Sequence, residues 1–200
     1  MARPVFGRAS VTHLDRDRGL VEAARRDRQQ FDALYRRYLA QVYNFAFYEL
    51  GDHHAAEDTT ERTFLAALAN LHRFEERARP ADGDGASTFR VWLFRIARNT
   101  IANERRDRRN HPAVAIEAAG TIPGTANVES GAVARDEAAA AWRAVSRLPA
   151  DRRRAVVLRF VEEMSTAEIA GILGKSEGAV RVLLHRALRE LAARLAEERL

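Results

Sequence analysis

The chain has 200 residues, 46% of them apolar, and a formal net charge of +5 from 33 basic and 28 acidic side chains. That length suits one domain or two small ones, and the lack of cysteine excludes disulfides, thiolate zinc sites and a cysteine nucleophile. No apolar run approaches the roughly 18 residues that span a bilayer, and residues 1–10 lack the apolar stretch of a signal peptide, which fits a cytoplasmic protein. Lys175 is the only lysine, so nearly all the positive charge is guanidinium, the group best shaped for phosphate oxygens and guanine edges. A GC-rich coding bias towards Arg and Ala produces the same excess, and composition alone does not separate the two readings.

Residues 1–17 mix Arg, Asp, Pro and Gly without a period and read as a disordered N-terminal extension. From Gly19 to Phe74 the pattern is helical. Leu20, Val21 and Ala24 suggest a short helix; Phe31, Leu34, Tyr35, Tyr38, Val42, Phe45 and Ala46 continue at steps of three and four. Gly51-Asp52 marks a turn with Asp52 as cap, and a long amphipathic helix follows to about His72, with Phe64, Leu65, Leu68 and Leu71 inward. Residues 75–87 form a polar, acidic loop rich in helix breakers. Ser87 is placed to cap a helix from 88 to about 109, whose Phe89, Trp92, Leu93, Ile96, Ala97 and Ile101 share one side. It ends in the basic run Arg105-Arg106-Asp107-Arg108-Arg109.

Residues 110–128 carry two prolines, two glycines and small residues without a period, and read as a flexible linker. Helices are expected over about 129–147 and 150–162. In the next segment, Ser165 and Glu168 have the spacing of a capping box and Gly174 can end a helix in the left-handed conformation. Ser176 can cap the following helix, which carries Val180, Leu184, Leu188 and Leu191, interleaved with Arg181, His185, Arg186 and Arg189. Two short helices joined this way offer the second to a DNA major groove. Nothing alternates with period two, so the expected fold is all-α: two small helical domains, an N-terminal bundle and a C-terminal four-helix domain with a helix-turn-helix, on a flexible linker.

Taken in order, these segments resemble the extracytoplasmic-function (ECF) sigma factors of bacterial RNA polymerase. The resemblance rests on Phe31–Tyr43, on Gly51-Asp52 with Ala56-Glu57-Asp58 and Thr63-Phe64-Leu65, on the run Phe89–Asn99, and on Leu148-Pro149, Leu158-Arg159 and Ser165–Arg186. It covers about residues 18–109 and 130–195. It implies a polymerase-binding and minus-ten domain over 18–109 and a minus-thirty-five domain over 129–200. It also implies promoter DNA and core polymerase as partners, through the beta-prime clamp coiled coil and the beta flap. An anti-sigma factor is implied as a further partner, with no cofactor and no membrane insertion.

The resemblance assigns residues to each task. Glu57, Asp58 and Glu61 would meet the basic coiled coil of polymerase, although Glu57 alone is accounted for by the helix dipole. Arg62 stands where many relatives carry an acid. Phe94, Arg95, Arg98, Asn99, Arg105 and Arg106 would bind and melt the minus-ten element. Asn99 matches a position lining a pocket for an unstacked base, and its amide both donates and accepts. Trp92 shares a face with Phe89 and Ile96 and reads as core. Lys175, Ser176, Glu177, Arg181, Val182, His185 and Arg186 would read the minus-thirty-five element. Val182-Leu183 replaces a Ser-Arg pair of many relatives, so Val182 is left to touch a thymine methyl. Arg152, Arg153 and Arg154 either grip phosphates or simply open a surface helix.

Two other functions compete. A stand-alone helix-turn-helix regulator explains residues 130–195 but leaves the Trp-Leu-Phe-Arg-Ile-Ala-Arg-Asn helix and the acidic helix without a task. An enzyme would call for clustered carboxylates or a histidine-based constellation, and neither is evident. His53 and His54 precede Glu57 and Asp58 by one turn, yet a single such pair makes a poor metal site, so no metal is expected.

Overall fold

The computed structural model describes residues 11–75, 88–110 and 141–197. Seven α-helices have full bounds among the described residues: α1 (Val11–Arg26), α2 (Phe31–Leu50), α3 (His53–Asn70), α4 (Thr88–Asn110), α6 (Ala150–Phe160), α7 (Thr166–Leu173) and α8 (Glu177–Glu197). Helical residues 141–146, designated α5, precede α6. No strand occurs among the described residues. The expected loop 75–87 beyond Glu75, the Ser87 cap and the linker beyond Asn110 lie outside them.

Local chemistry sets most boundaries. Asp52 has extended backbone and accepts from the Ala55 amide at 2.7 Å, starting α3. Burial opposes ionisation of Asp52, but the Ala55 amide and the Arg108 guanidinium outweigh it and hold its carboxyl below the usual range. Gly51, at φ 71°, ends α2 in the left-handed region. In the helix-turn-helix, Ser165 and Glu168 form both bonds of the capping box, Gly174 takes φ 67°, and Ser176 Oγ accepts from the Ala179 amide at 3.2 Å. Residues 11–17 are helical, not disordered as expected from their composition. Asp17 is buried and accepts the Tyr38 hydroxyl at 2.6 Å, and Arg37 lies 3.2 Å from its other oxygen.

The N-terminal bundle α1–α4 packs around Leu34, Tyr38, Phe45, Phe89, Leu93 and Ile101, all nearly inaccessible. Thr60 and Thr63 also face inward on α3, their hydroxyls donating back to the carbonyls of Ala56 and Thr59. Leu65 departs from expectation: it is 57% exposed, because Phe64, Ala67 and Leu71 already complete the inward stripe. Leu188 of α8 is likewise exposed; Val180 and Ala187 take the inward positions.

The two domains are docked. One apolar core runs from α1–α4 into Ala155, Leu158, Ile169, Ile172 and Val180, and a satellite cluster gathers Val145, Leu148, Val156 and Ala187. Across the junction α4 packs against α7. A methyl group built on Gly171 would lie 2.9 Å from Val91 Cγ1, so only glycine permits this contact as it stands. Trp142 of α5 stacks on Tyr48 of α2 with ring centroids 4.0 Å apart.

Candidate nucleic-acid interface

The outer face of the helix-turn-helix presents the residues that its sequence suggested. Lys175, Ser176, Glu177, Arg181, Val182, His185 and Arg186 are all exposed. Arg181 is steadied by Glu177 at 2.9 Å, one turn earlier, and Lys175 Nζ lies 3.0 Å from Asp151 of α6. Arg186 makes no ion pair among the described residues, so its five donors face solvent. Val182, 48% exposed, is the apolar spot in this row.

The minus-ten group on α4 is divided. Asn99 and Arg106 are exposed, the latter 3.2 Å from Asn103 Oδ1. Phe94, expected at the DNA, is instead wholly buried with its ring 5.5 Å from that of Phe45. The reason is helical: Phe94, Ala97 and Ile101 recur at i, i+3 and i+7 and so share the sector that faces α2. Trp92 is half-buried against Phe74 and Phe89, as its spacing predicted.

Two arginines of this group, Arg95 and Arg98, bond to the other domain, and a third, Arg105, bonds within its own. Arg95 donates to the Gly171 carbonyl at 2.6 Å, and Arg98 to the Ile172 carbonyl at 2.5 Å. Both acceptors lie near the C-terminus of α7, whose unpaired carbonyls attract cations. Arg105 donates to the Glu49 carbonyl and lies 3.0 Å from the Glu49 carboxylate. Burial and the neighbouring Arg154 and Arg95 hold Arg98 below the usual arginine range.

Sequence reasoning missed the residues that build this junction. Glu49 is an acid at the end of an apolar run, with its side chain fully buried. Arg153 and Arg154 of α6, expected either to grip phosphates or to be solvated, lie 3.4 and 3.2 Å from its oxygens. Arg152 pairs with Glu190 of α8 at 2.6 Å. Arg90 is buried, donates to the Glu162 carbonyl, and lies 3.6 Å from the capping-box carboxylate of Glu168. Burial pushes the Glu162 carboxyl up to about 8, with Arg90 pulling the other way. The sole signal in the sequence was a charged residue inside each apolar stretch, which reveals burial but not the partner.

A second surface lies between α2 and α3. A cavity of about 470 Å³ is lined by Phe31, Tyr35, Leu39, Phe64, Leu65 and Leu68, with three acids, Asp32, Glu57 and Glu61, and one base, Arg28, among its other walls. Glu57, Asp58 and Glu61 are all exposed. The surface therefore joins an apolar floor to an acidic rim, a combination suited to a basic protein partner. No described helix is long and apolar enough to cross a membrane.

Known proteins share this arrangement in the same order. Residues 34–111 match the family model "Sigma-70 region 2", and residues 138–191 match "Sigma-70, region 4". The ECF RNA polymerase sigma factor BldN of Streptomyces coelicolor is 34% identical over 181 residues, which cover 90% of this chain and 66% of BldN. The ECF RNA polymerase sigma factor SigL of Mycobacterium tuberculosis is 33% identical, covering 82% of this chain and 88% of SigL. Among solved structures, CnrH in complex with the cytosolic domain of CnrY has a TM-score of 0.64 and 27% identity, covering 90% of this chain and 97% of that one. The chain belongs to the ECF sigma factors of the sigma-70 family.

Proposed function

We propose that the chain binds core RNA polymerase, recognises a promoter at two elements and starts transcription of a specific set of genes, without covalent chemistry of its own and in the cytoplasm. In this reading residues 18–109 form the polymerase-binding and minus-ten domain, and residues 129–200 the minus-thirty-five domain. The observation that carries it is the pairing, in one chain, of an acidic-rimmed apolar surface on α2 and α3 with an exposed helix-turn-helix.

Glu57, Asp58 and Glu61 set the encounter with a basic coiled coil, and the apolar floor beside them supplies the contacts that hold. Arg181, His185 and Arg186 reach base edges or phosphates, and Val182 meets a thymine methyl. Asn99 offers both halves of its amide to an unstacked base, while Arg106 and the docked Arg95, Arg98 and Arg105 take phosphates. Arg95 and Arg98 are occupied by α7 in the docked arrangement, so promoter binding through them requires the domains to part, whereas Arg105 is held by Glu49 of its own domain. A protein partner such as an anti-sigma factor would act on the same equilibrium; the relative CnrH is held in a complex with the cytosolic domain of CnrY.

Native pull-down with core polymerase lacking sigma tests the reading. Capture of core by the full chain, weakened by Asp58→Ala, supports it. Promoter binding with no capture of core would point instead to a stand-alone regulator.

A further inference from the structure

Between the C-terminal half of α4 and the start of α6 lies a cavity of about 390 Å³, lined by Ala102, Arg105 and Arg109 from one domain and Arg154 from the other. Its charges do not balance. Arg105 and Arg154 approach the same oxygen of Glu49, at 3.0 and 3.2 Å, and Arg153 takes the other oxygen at 3.4 Å. Arg154 also lies 3.6 Å from Asp151, but Asp151 is shared with Lys175. Arg109 is exposed and makes no ion pair among the described residues. Three guanidiniums therefore share one whole carboxylate and part of another, and Arg109 adds a fourth with no acid paired to it among the described residues. Burial and its neighbours Arg153, Arg154 and Arg109 hold Arg105 below the usual arginine range, with Glu49 opposing them. Ala102, with its small side chain, is the one uncharged residue of the lining.

We propose that this cavity binds a phosphate-class oxyanion, with Arg105, Arg109 and Arg154 as its ligands. Guanidinium forks match the geometry of phosphate oxygens and bind them in pairs. Because both domains supply the walls, the complete site exists only while they are docked. A ligand that binds one state alone stabilises that state by mass action, so an occupied site holds the protein closed and lowers its affinity for promoter. The inference rests on the docked arrangement and is independent of whether the chain directs polymerase. The oxyanion is either a small free phosphate compound or a backbone phosphate of nucleic acid.

The test uses the full-length protein at constant ionic strength, with pyrophosphate and a short non-promoter duplex as separate probes and calorimetry for affinity. The chain has no cysteine, so Ala69→Cys and Ala193→Cys, both at exposed positions of α3 and α8, accept a fluorophore pair that reads the distance between domains. Saturable pyrophosphate binding, at least tenfold weaker in Arg109→Gln and with the docked signal retained or increased, supports a free phosphate ligand. Binding by the duplex alone, with the same dependence on Arg109 and the docked signal retained, supports a backbone phosphate in the same site. Arg26→Gln removes an equal charge at an exposed position of α1 and should bind as the wild type does. Equal affinity in Arg109→Gln, equal loss in Arg26→Gln, or saturation by either probe accompanied by a shift towards the open signal would each overturn the proposal.

Discussion

Gly171→Ala separates the stability of the domains from the strength of their docking. The added Cβ would lie 2.9 Å from Val91 Cγ1, closer than carbon atoms tolerate. Val91 is β-branched on a helix and has one strongly preferred rotamer, so it cannot simply swing aside. Overpacking of this kind costs about 1–3 kcal/mol. Inside α7 itself the change is favourable, because alanine exceeds glycine by about 1 kcal/mol in a helix interior. The C-terminal domain should thus gain stability while docking weakens, shifting the open-to-docked ratio by about 5- to 150-fold. The interdomain fluorescence pair reads that ratio, and promoter affinity should rise with it. Val91→Ala should restore docking in the double variant, because the two sites share one contact and their effects cannot add. If Gly171→Ala docks as the wild type does, or Val91→Ala gives no relief, the α4–α7 contact does not control the opening.

Three further outcomes are expected. Glu49→Gln keeps the shape of a fully buried side chain but removes the charge shared by Arg105, Arg153 and Arg154; it should destabilise the docked protein by about 3 kcal/mol in urea unfolding. Glu162 is buried near Arg90 of α4 and Tyr48 of α2, and its carboxyl lies at about 8 against an ordinary 4.5. The native state therefore holds a proton that the unfolded chain releases, and stability should fall as pH rises between those values, by about 3 kcal/mol from pH 6 to 9. Glu162→Gln should flatten that slope, and an unchanged slope would contradict the assignment. Arg186→Ala should weaken binding to the cognate promoter by about 1–3 kcal/mol while leaving capture of core polymerase intact, and Asp58→Ala should do the reverse.

The helices and their ends were legible because their causes are local. Asp52, Ser165 with Glu168, and Ser176 cap through side chains within three residues, and Gly51 and Gly174 terminate through their own backbone. Periodicity placed most of the core, and failed where one face had more apolar residues than the packing could use. Leu65 and Leu188 were expected inside and are exposed, whereas Phe94 was expected outside and is buried. The exposed recognition face was legible because charges interleave with the stripe of α8. Docking of the two domains was not, since it depends on contacts more than seventy residues apart, Arg95 to Gly171 and Arg98 to Ile172. A linker's composition does not say whether its ends are held together, and Gly171 carried no local sign that Val91 would approach it.

Run-off transcription with purified full-length protein and core polymerase free of sigma tests the central claim most directly, with transcript ends mapped on genomic templates. The account predicts discrete start sites preceded by two common DNA elements, with transcripts reduced by both Asp58→Ala and Arg186→Ala. Absence of any start site above that of core alone, from protein that still binds core and DNA, would contradict it.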